Sequence, residues 1–134
     1  SYQALQGEDL LQVNSGALAE QWVGQALLHS LDPHENPFLH YWAREQRSSS
    51  AEVDYVIAVG GKVIPIEIKA GKSGSLKSLH VFLKEKNSDF AVRFNVDKPS
   101  LMNASHHLSD QSIKEYQLLS LPLYMAGQCR RLLK

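Results

Sequence analysis

Three residues raise the question of chemistry: Asp54, Glu67 and Lys69. They stand on two apolar stretches, Glu52 to Val59 and Lys62 to Ala70, joined by Gly60-Gly61. A two-residue glycine connection between alternating runs predicts a tight β-hairpin. Val59 then faces Lys62, and the other pairs follow by counting outward. One face is uniformly apolar, with Val53/Ile68, Tyr55/Ile66 and Ile57/Ile64. The other holds Ala58/Val63, Val56/Pro65, Asp54/Glu67 and Glu52/Lys69. A one-residue slip would scramble both faces, so the pattern supports this register. Pro65 is expected at an edge or at a bulge that opens the sheet.

Directly opposed residues bring their Cβ atoms to about 4.5–5.5 Å, and like charges at that distance destabilise a sheet. Either one carboxyl takes up a proton or a divalent cation binds between the two. Hard cations such as Mg²⁺ are commonly held by one or two carboxylates plus water. Lys69, one pair further along, could neutralise charge, orient a water, or stabilise negative charge developing on a phosphate. The plain alternative is a solvated face with Lys69 paired to Glu52.

The hairpin sits within an ordered series of elements. Leu18, Ala19, Trp22, Val23, Ala26 and Leu27 recur at helical spacing, with Ser15 as N-cap. Residues 1–13 read as a short helix or a linker remnant. "DPHENP" (Asp32–Pro37) is a loop, "FLHYWARE" a strand and "RSSS" a turn. After the hairpin, Leu76, Leu79, His80 and Leu83 form one helical stripe, and Asn87 is a stop signal. "FAVRFNV" alternates as a strand, so the step to it from the second hairpin strand predicts a right-handed parallel crossover. Asp97–Ser112 is polar and reads as a loop. "EYQLLSL" reads as a last short strand, and Pro122 opens a closing helix. The expected fold is α/β, with an αβββαβ core and a mixed central sheet flanked by helices.

Composition narrows the class. The 134 residues suit one domain, and 14 Lys+Arg balance 14 Asp+Glu. Neutrality argues against tight non-specific DNA binding, although a local basic patch remains open. The single cysteine, Cys129, excludes an internal disulfide and suits a reducing cytosol. No apolar run reaches the length of a membrane span, so no membrane association and a cytoplasmic location are expected. The chain begins with Ser1, which implies either a removed Met or a piece of a longer protein.

The positions of Asp54 and "EIK" (Glu67–Lys69) resemble the PD-(D/E)xK, or restriction-endonuclease-like, phosphodiesterase superfamily, whose core has the same element order. The resemblance implies that Asp54, Glu67 and Lys69 are catalytic. It adds Glu20, from the first helix, and the Ile68 carbonyl to Asp54 and Glu67 as ligands of Mg²⁺ or Mn²⁺. It implies hydrolysis of nucleic-acid phosphodiesters, with DNA as the expected substrate. Lys72 and Arg93 are secondary candidates for phosphate contact, and Arg93, opposite the apolar face of its strand, reads first as solvent-exposed. From Gly16 to about Arg131 the chain also resembles the uncharacterised C-terminal domain of a family of bacterial and archaeal AAA-type ATPases. That likeness implies an N-terminal ATPase domain as partner. It leaves three expectations: a metal-dependent nuclease, a non-catalytic domain of the same fold that contacts DNA or protein, or a regulator of the attached ATPase.

Other signals are set aside. "AGKS" lacks a P-loop's first glycine, since Ile66 stands at that position. His34, His40, His106 and His107 lack zinc-ligand spacing and read as surface or packing residues. Cys129 reads as inert. Trp22, Trp42 and Tyr55 read as core.

Overall fold

The computed structural model describes residues 18–30, 40–46, 49–69, 76–108 and 110–133. Ser15, Lys72 and the expected linker remnant at 1–13 lie outside them. Helix α1 covers residues 18–29. The strands are β1 (His40–Gln46), β2 (Ser49–Val59), β3 (Lys62–Ile68), β4 (Phe90–Asn95), β5 (Ser100–His107) and β6 (Ile113–Pro122). Helix α2 (Lys77–Glu85) joins β3 to β4, and a 3₁₀ turn (Leu123–Gln128) leads into α3 (Cys129–Leu133).

The six strands form one mixed sheet in the order β1-β2-β3-β4-β6-β5. β1, β2 and β3 are successively antiparallel, β4 is parallel to both β3 and β6, and β5 is antiparallel to β6. The architecture is therefore α/β, with the element order α-β-β-β-α-β at its core.

Adjacent residues of a strand point to opposite faces, and the two faces are covered by different helices. Val92 and Phe94 join Val23 and Leu27 of α1 with Ile57, Ile64, Ile66, Leu121 and Cys129. Ala91, of the opposite phase, joins Leu79 and Leu83 of α2 with Leu118 and Tyr116. Helix α2 ends as its sequence requires. Asn87 is left-handed (φ 49°), and the Ser88 N–H reaches the Leu83 carbonyl at 2.9 Å while the Asn87 N–H reaches Lys84 at 3.3 Å. This is the double bond pattern of a Schellman stop.

The hairpin has the expected register from Val59/Lys62 to Tyr55/Ile66. Gly60 and Gly61 both take positive φ, 58° and 77°, as a type I′ turn demands. Pro65 is neither at an edge nor in a bulge. It pairs with Val56 inside β3, which lies between β2 and β4. Counting from the turn places it in a non-hydrogen-bonded pair, and pairing of β3 with β4 starts only at Ile66. The N–H that proline lacks would face β4, and the β3–β4 ladder begins just past it.

Four further expectations change. Asp97–Ser112 contains strand β5, not only loop. The closing strand is long, and β6 lies inside the sheet between β4 and β5. Pro122 ends β6 with extended backbone (ψ 152°), and the turn after it is 3₁₀ before it is α. Trp22 is 49% exposed and so is not core, whereas Tyr55 packs against the core beneath α1.

Candidate active site

A bulge positions Asp54. His40 pairs with Val56 but Trp42 pairs with Val53, so two steps on β1 match three on β2. The extra residue turns Val53 to the α2 face, where it packs with Val56 and Phe82. This corrects its expected place beside Tyr55 on the apolar face. Backbone pairing of β2 with β3 stops at Tyr55/Ile66. Beyond that point the Asp54 carboxylate takes over, and its Oδ2 accepts the Ile68 N–H at 2.8 Å. In an unbroken ladder this donor would have belonged to a backbone carbonyl.

Glu67 lies one residue before that contact and is 8% exposed. Its Oε1 meets the Lys69 ammonium at 3.3 Å. Its Oε2 is buried without a hydrogen-bond partner among the described residues. Lys69 thus pairs with Glu67 and not with Glu52, which is exposed. Burial, and then the Asp54 charge, push the Glu67 carboxyl up to about 7 against the pull of Lys69. Asp54 is raised by burial, opposed by the Ile68 N–H and Lys69.

Glu20 reaches the same neighbourhood from α1. Burial and then Asp54 raise its carboxyl, and Glu20 in turn raises Glu67. The helix is held there by the Tyr55 hydroxyl, which donates to the Glu20 carbonyl at 3.0 Å. Gly24, one turn on, makes room for this bond. A Cβ at that position would lie 2.8 Å from Tyr55 Cζ. Glu20, Asp54, Glu67 and Lys69 are therefore electrostatic neighbours. Among the described residues, however, no three His, Cys, Asp or Glu side chains stand close enough to form a preassembled metal cage.

Arg93 is half-buried on β4. It is the register partner of Glu67 on one side and of Ser120 on the other. Its Nε and Nη2 donate to Ser120 Oγ at 3.2 and 2.9 Å. Residue spacing gave no sign of Ser120, because the contact depends on the parallel alignment of β4 with β6.

Residues 15–124 match DUF4143, described as a domain of unknown function. The chain belongs to the DUF4143 family. A search of curated proteins returned no match. Within this DUF4143 chain, the matched span contains Glu20, Asp54, Glu67, Lys69, Arg93 and Ser120.

A second polar group lies across the α2 face. His80 Nε2 and the Tyr116 hydroxyl are 2.7 Å apart. The His106 ring stacks on His80 with centroids 4.0 Å apart. Burial, then His106, push His80 down to about 4. Of the surface and packing roles expected for His106, it takes the packing one here, and His80 occupies the apolar stripe of α2. Cys129 is fully buried, and burial pushes its thiol up to about 12, consistent with an inert side chain. No helix among the described residues is long and apolar enough to cross a membrane.

Proposed function

We propose that this domain hydrolyses nucleic-acid phosphodiesters with a divalent cation, Mg²⁺ or Mn²⁺, and works in the cytoplasm beside an ATPase domain of the same protein. The observation that carries the reading is Glu67 Oε2. A buried carboxylate oxygen without a partner is costly, and here the costs of burial and of Asp54 fall on the same group. The donor set fits a hard cation: Asp54 and Glu67 carboxylates, with Glu20 and the Ile68 carbonyl completing the oxygen ligands. When bound, such a cation supplies Lewis acidity to the phosphate and acidifies a water.

The chain's own residues divide the remaining work. The bond from the Ile68 N–H fixes Asp54 at the point where the strands part. Lys69, anchored on Glu67 Oε1, orients the attacking water or offsets charge on the phosphate. Glu67 must release its proton before it can act as a ligand, so a cation competes with that proton and is bound more weakly as pH falls below about 7.

The test is Mg²⁺- or Mn²⁺-dependent cleavage of single- and double-stranded DNA, with Glu67→Ala and Lys69→Ala in parallel. Each substitution should lower cleavage by about a hundred- to a thousandfold, as loss of a group that stabilises developing charge does. Wild-type cleavage no greater than that of the variants would sink the reading. A non-catalytic domain that binds DNA or protein, or regulates the ATPase, is the second reading. The lack of a preassembled three-ligand cage among the described residues favours it.

A further inference from the structure

Arg93 is the cation that Glu67 does not use. Parallel register places Glu67, Arg93 and Ser120 in a row on neighbouring strands β3, β4 and β6. Register partners present their side chains to the same face of a sheet. A guanidinium one strand away from a buried carboxylate is well placed for a charge-assisted fork, among the stronger protein hydrogen bonds. That pair is not made. Two donors of Arg93 go to Ser120 Oγ, while Glu67 binds Lys69 through one oxygen and leaves the other without a partner among the described residues. Ser120 is 1% exposed, and a hydroxyl has two lone pairs, so one buried oxygen can accept both bonds. A guanidinium engaged along its Nε and Nη2 edge still carries N–H donors on Nη1.

We propose that Ser120 is a positioning residue that holds the Arg93 guanidinium off Glu67 and presents its remaining N–H edge to a phosphate of a nucleic-acid strand. Pairing of Arg93 with Glu67 would consume both the carboxylate wanted by a cation and the donors wanted by an anion. Held apart, the two can serve opposite charges side by side, and Arg93 offsets the repulsion that Asp54 and Glu67 exert on a phosphate. The choice of a nucleic-acid phosphate as ligand rests on the phosphodiesterase reading; the arrangement of the three side chains does not.

The test is the affinity of a short fluorescein-labelled single-stranded oligonucleotide, followed by anisotropy in EDTA over a range of salt. Arg93→Gln should weaken binding about tenfold, the worth of a charge-assisted bond. It should also reduce the slope of log affinity against log salt by about 0.7, the value for one phosphate contact on a single strand. Ser120→Ala should weaken binding about threefold with a partial loss of slope, as loss of a neutral acceptor would, and Ser120→Thr should restore both. Wild-type affinity and slope in Arg93→Gln or Ser120→Ala would overturn the proposal. So would an absence of oligonucleotide binding by the wild type, or a loss in Ser120→Ala that leaves the slope intact and that Thr does not rescue. Displacement of the strand by inorganic phosphate at matched ionic strength would overturn the assignment to a strand. Failure of cleavage with these affinities behaving as expected overturns the phosphodiesterase reading and leaves the subsite standing; cleavage with unchanged affinities does the reverse.

Discussion

Two groups of polar side chains are wholly or partly buried against the sheet, and they accommodate burial in opposite ways. His80, His106 and Tyr116 form a closed set: a short hydrogen bond and a ring stack suit the neutral imidazole, which has no charge to satisfy. Asp54, Glu67 and Lys69 form an open one, with one ion pair and one carboxylate oxygen without a partner among the described residues. Burial is the leading cause of the shifted ionisation in both, so a shift alone does not separate a structural cluster from a functional one. The separating observation is the unmet oxygen, because it asks for something outside the cluster.

The largest expected effect on stability comes from Glu67→Gln. The folded-state value for Glu67 is about 7, against an ordinary 4.5. The folded state thus holds this proton more tightly than the unfolded chain does. The stability it contributes is full below pH 4.5 and is lost as pH rises to about 7. At pH 8 the substitution should stabilise the fold by about 3 kcal/mol, the equivalent of that shift. Urea denaturation at pH 8 and pH 4 checks it, with little gain expected at pH 4. Equal stability of variant and wild type at pH 8 would mean that Glu67 is not strained by its site.

The hairpin behind this prediction was legible because both of its strands alternate and Gly60-Gly61 permits only a few turns. The charged end was only half legible. Asp54 and Glu67 do come together, but through a bulge that pairing with β1 produces, and β2 taken by itself carries no signal for it. Strand β5 was missed because it is a sheet edge with most of its residues exposed, so alternation is lost and Asn103, Ala104 and Ser105 read as loop. Trp22 was misplaced because its helical phase fits the apolar stripe, whereas its side chain lies outside the packed cluster. Ser120 and the His80–Tyr116 bond depend on partners 27 and 36 residues apart, beyond the reach of any local pattern.

His80→Gln should produce the mirror image of the Glu67 effect. Here the folded value is about 4 against 6.5. The unfolded chain binds the proton more readily, so the contribution of the neutral ring is full above pH 6.5 and is lost as pH falls toward 4. After a discount for its partial exposure the effect is about 2 kcal/mol. Between pH 4.5 and 6.5 the Glu67 and His80 slopes oppose each other. The wild type should show a shallow profile, Glu67→Gln a profile rising with pH, and His80→Gln one that falls. Two parallel profiles would show that the clusters do not titrate as described.

Gly24→Ala probes the open cluster from its helical side. The added methyl meets the Tyr55 ring, and either α1 shifts or the bond from Tyr55 to the Glu20 carbonyl breaks. Overpacking of this kind costs about 1–3 kcal/mol, offset by the better helix propensity of alanine. Because Glu20 moves with the helix, the gain from Glu67→Gln at pH 8 should be smaller in the Gly24→Ala background, which a double-mutant cycle reads directly. Additive effects would detach Glu20 from the site.

Tyr116→Phe is the smallest change and the sharpest for the closed cluster. It removes one oxygen and keeps the ring that packs with Leu79, Leu83 and Leu118. The His80 Nε2 loses its partner at 2.7 Å, which costs about 1 kcal/mol for a partly buried neutral bond. The stack of His106 on His80 is untouched, so the His80 slope between pH 4 and 6.5 should survive with most of its size. If the closed cluster is purely structural, oligonucleotide affinity and metal-dependent cleavage remain at wild-type levels while the denaturation midpoint falls. A loss of either activity larger than the loss of folded protein would instead join the two clusters into one site, through Arg93, whose charge is felt at Tyr116.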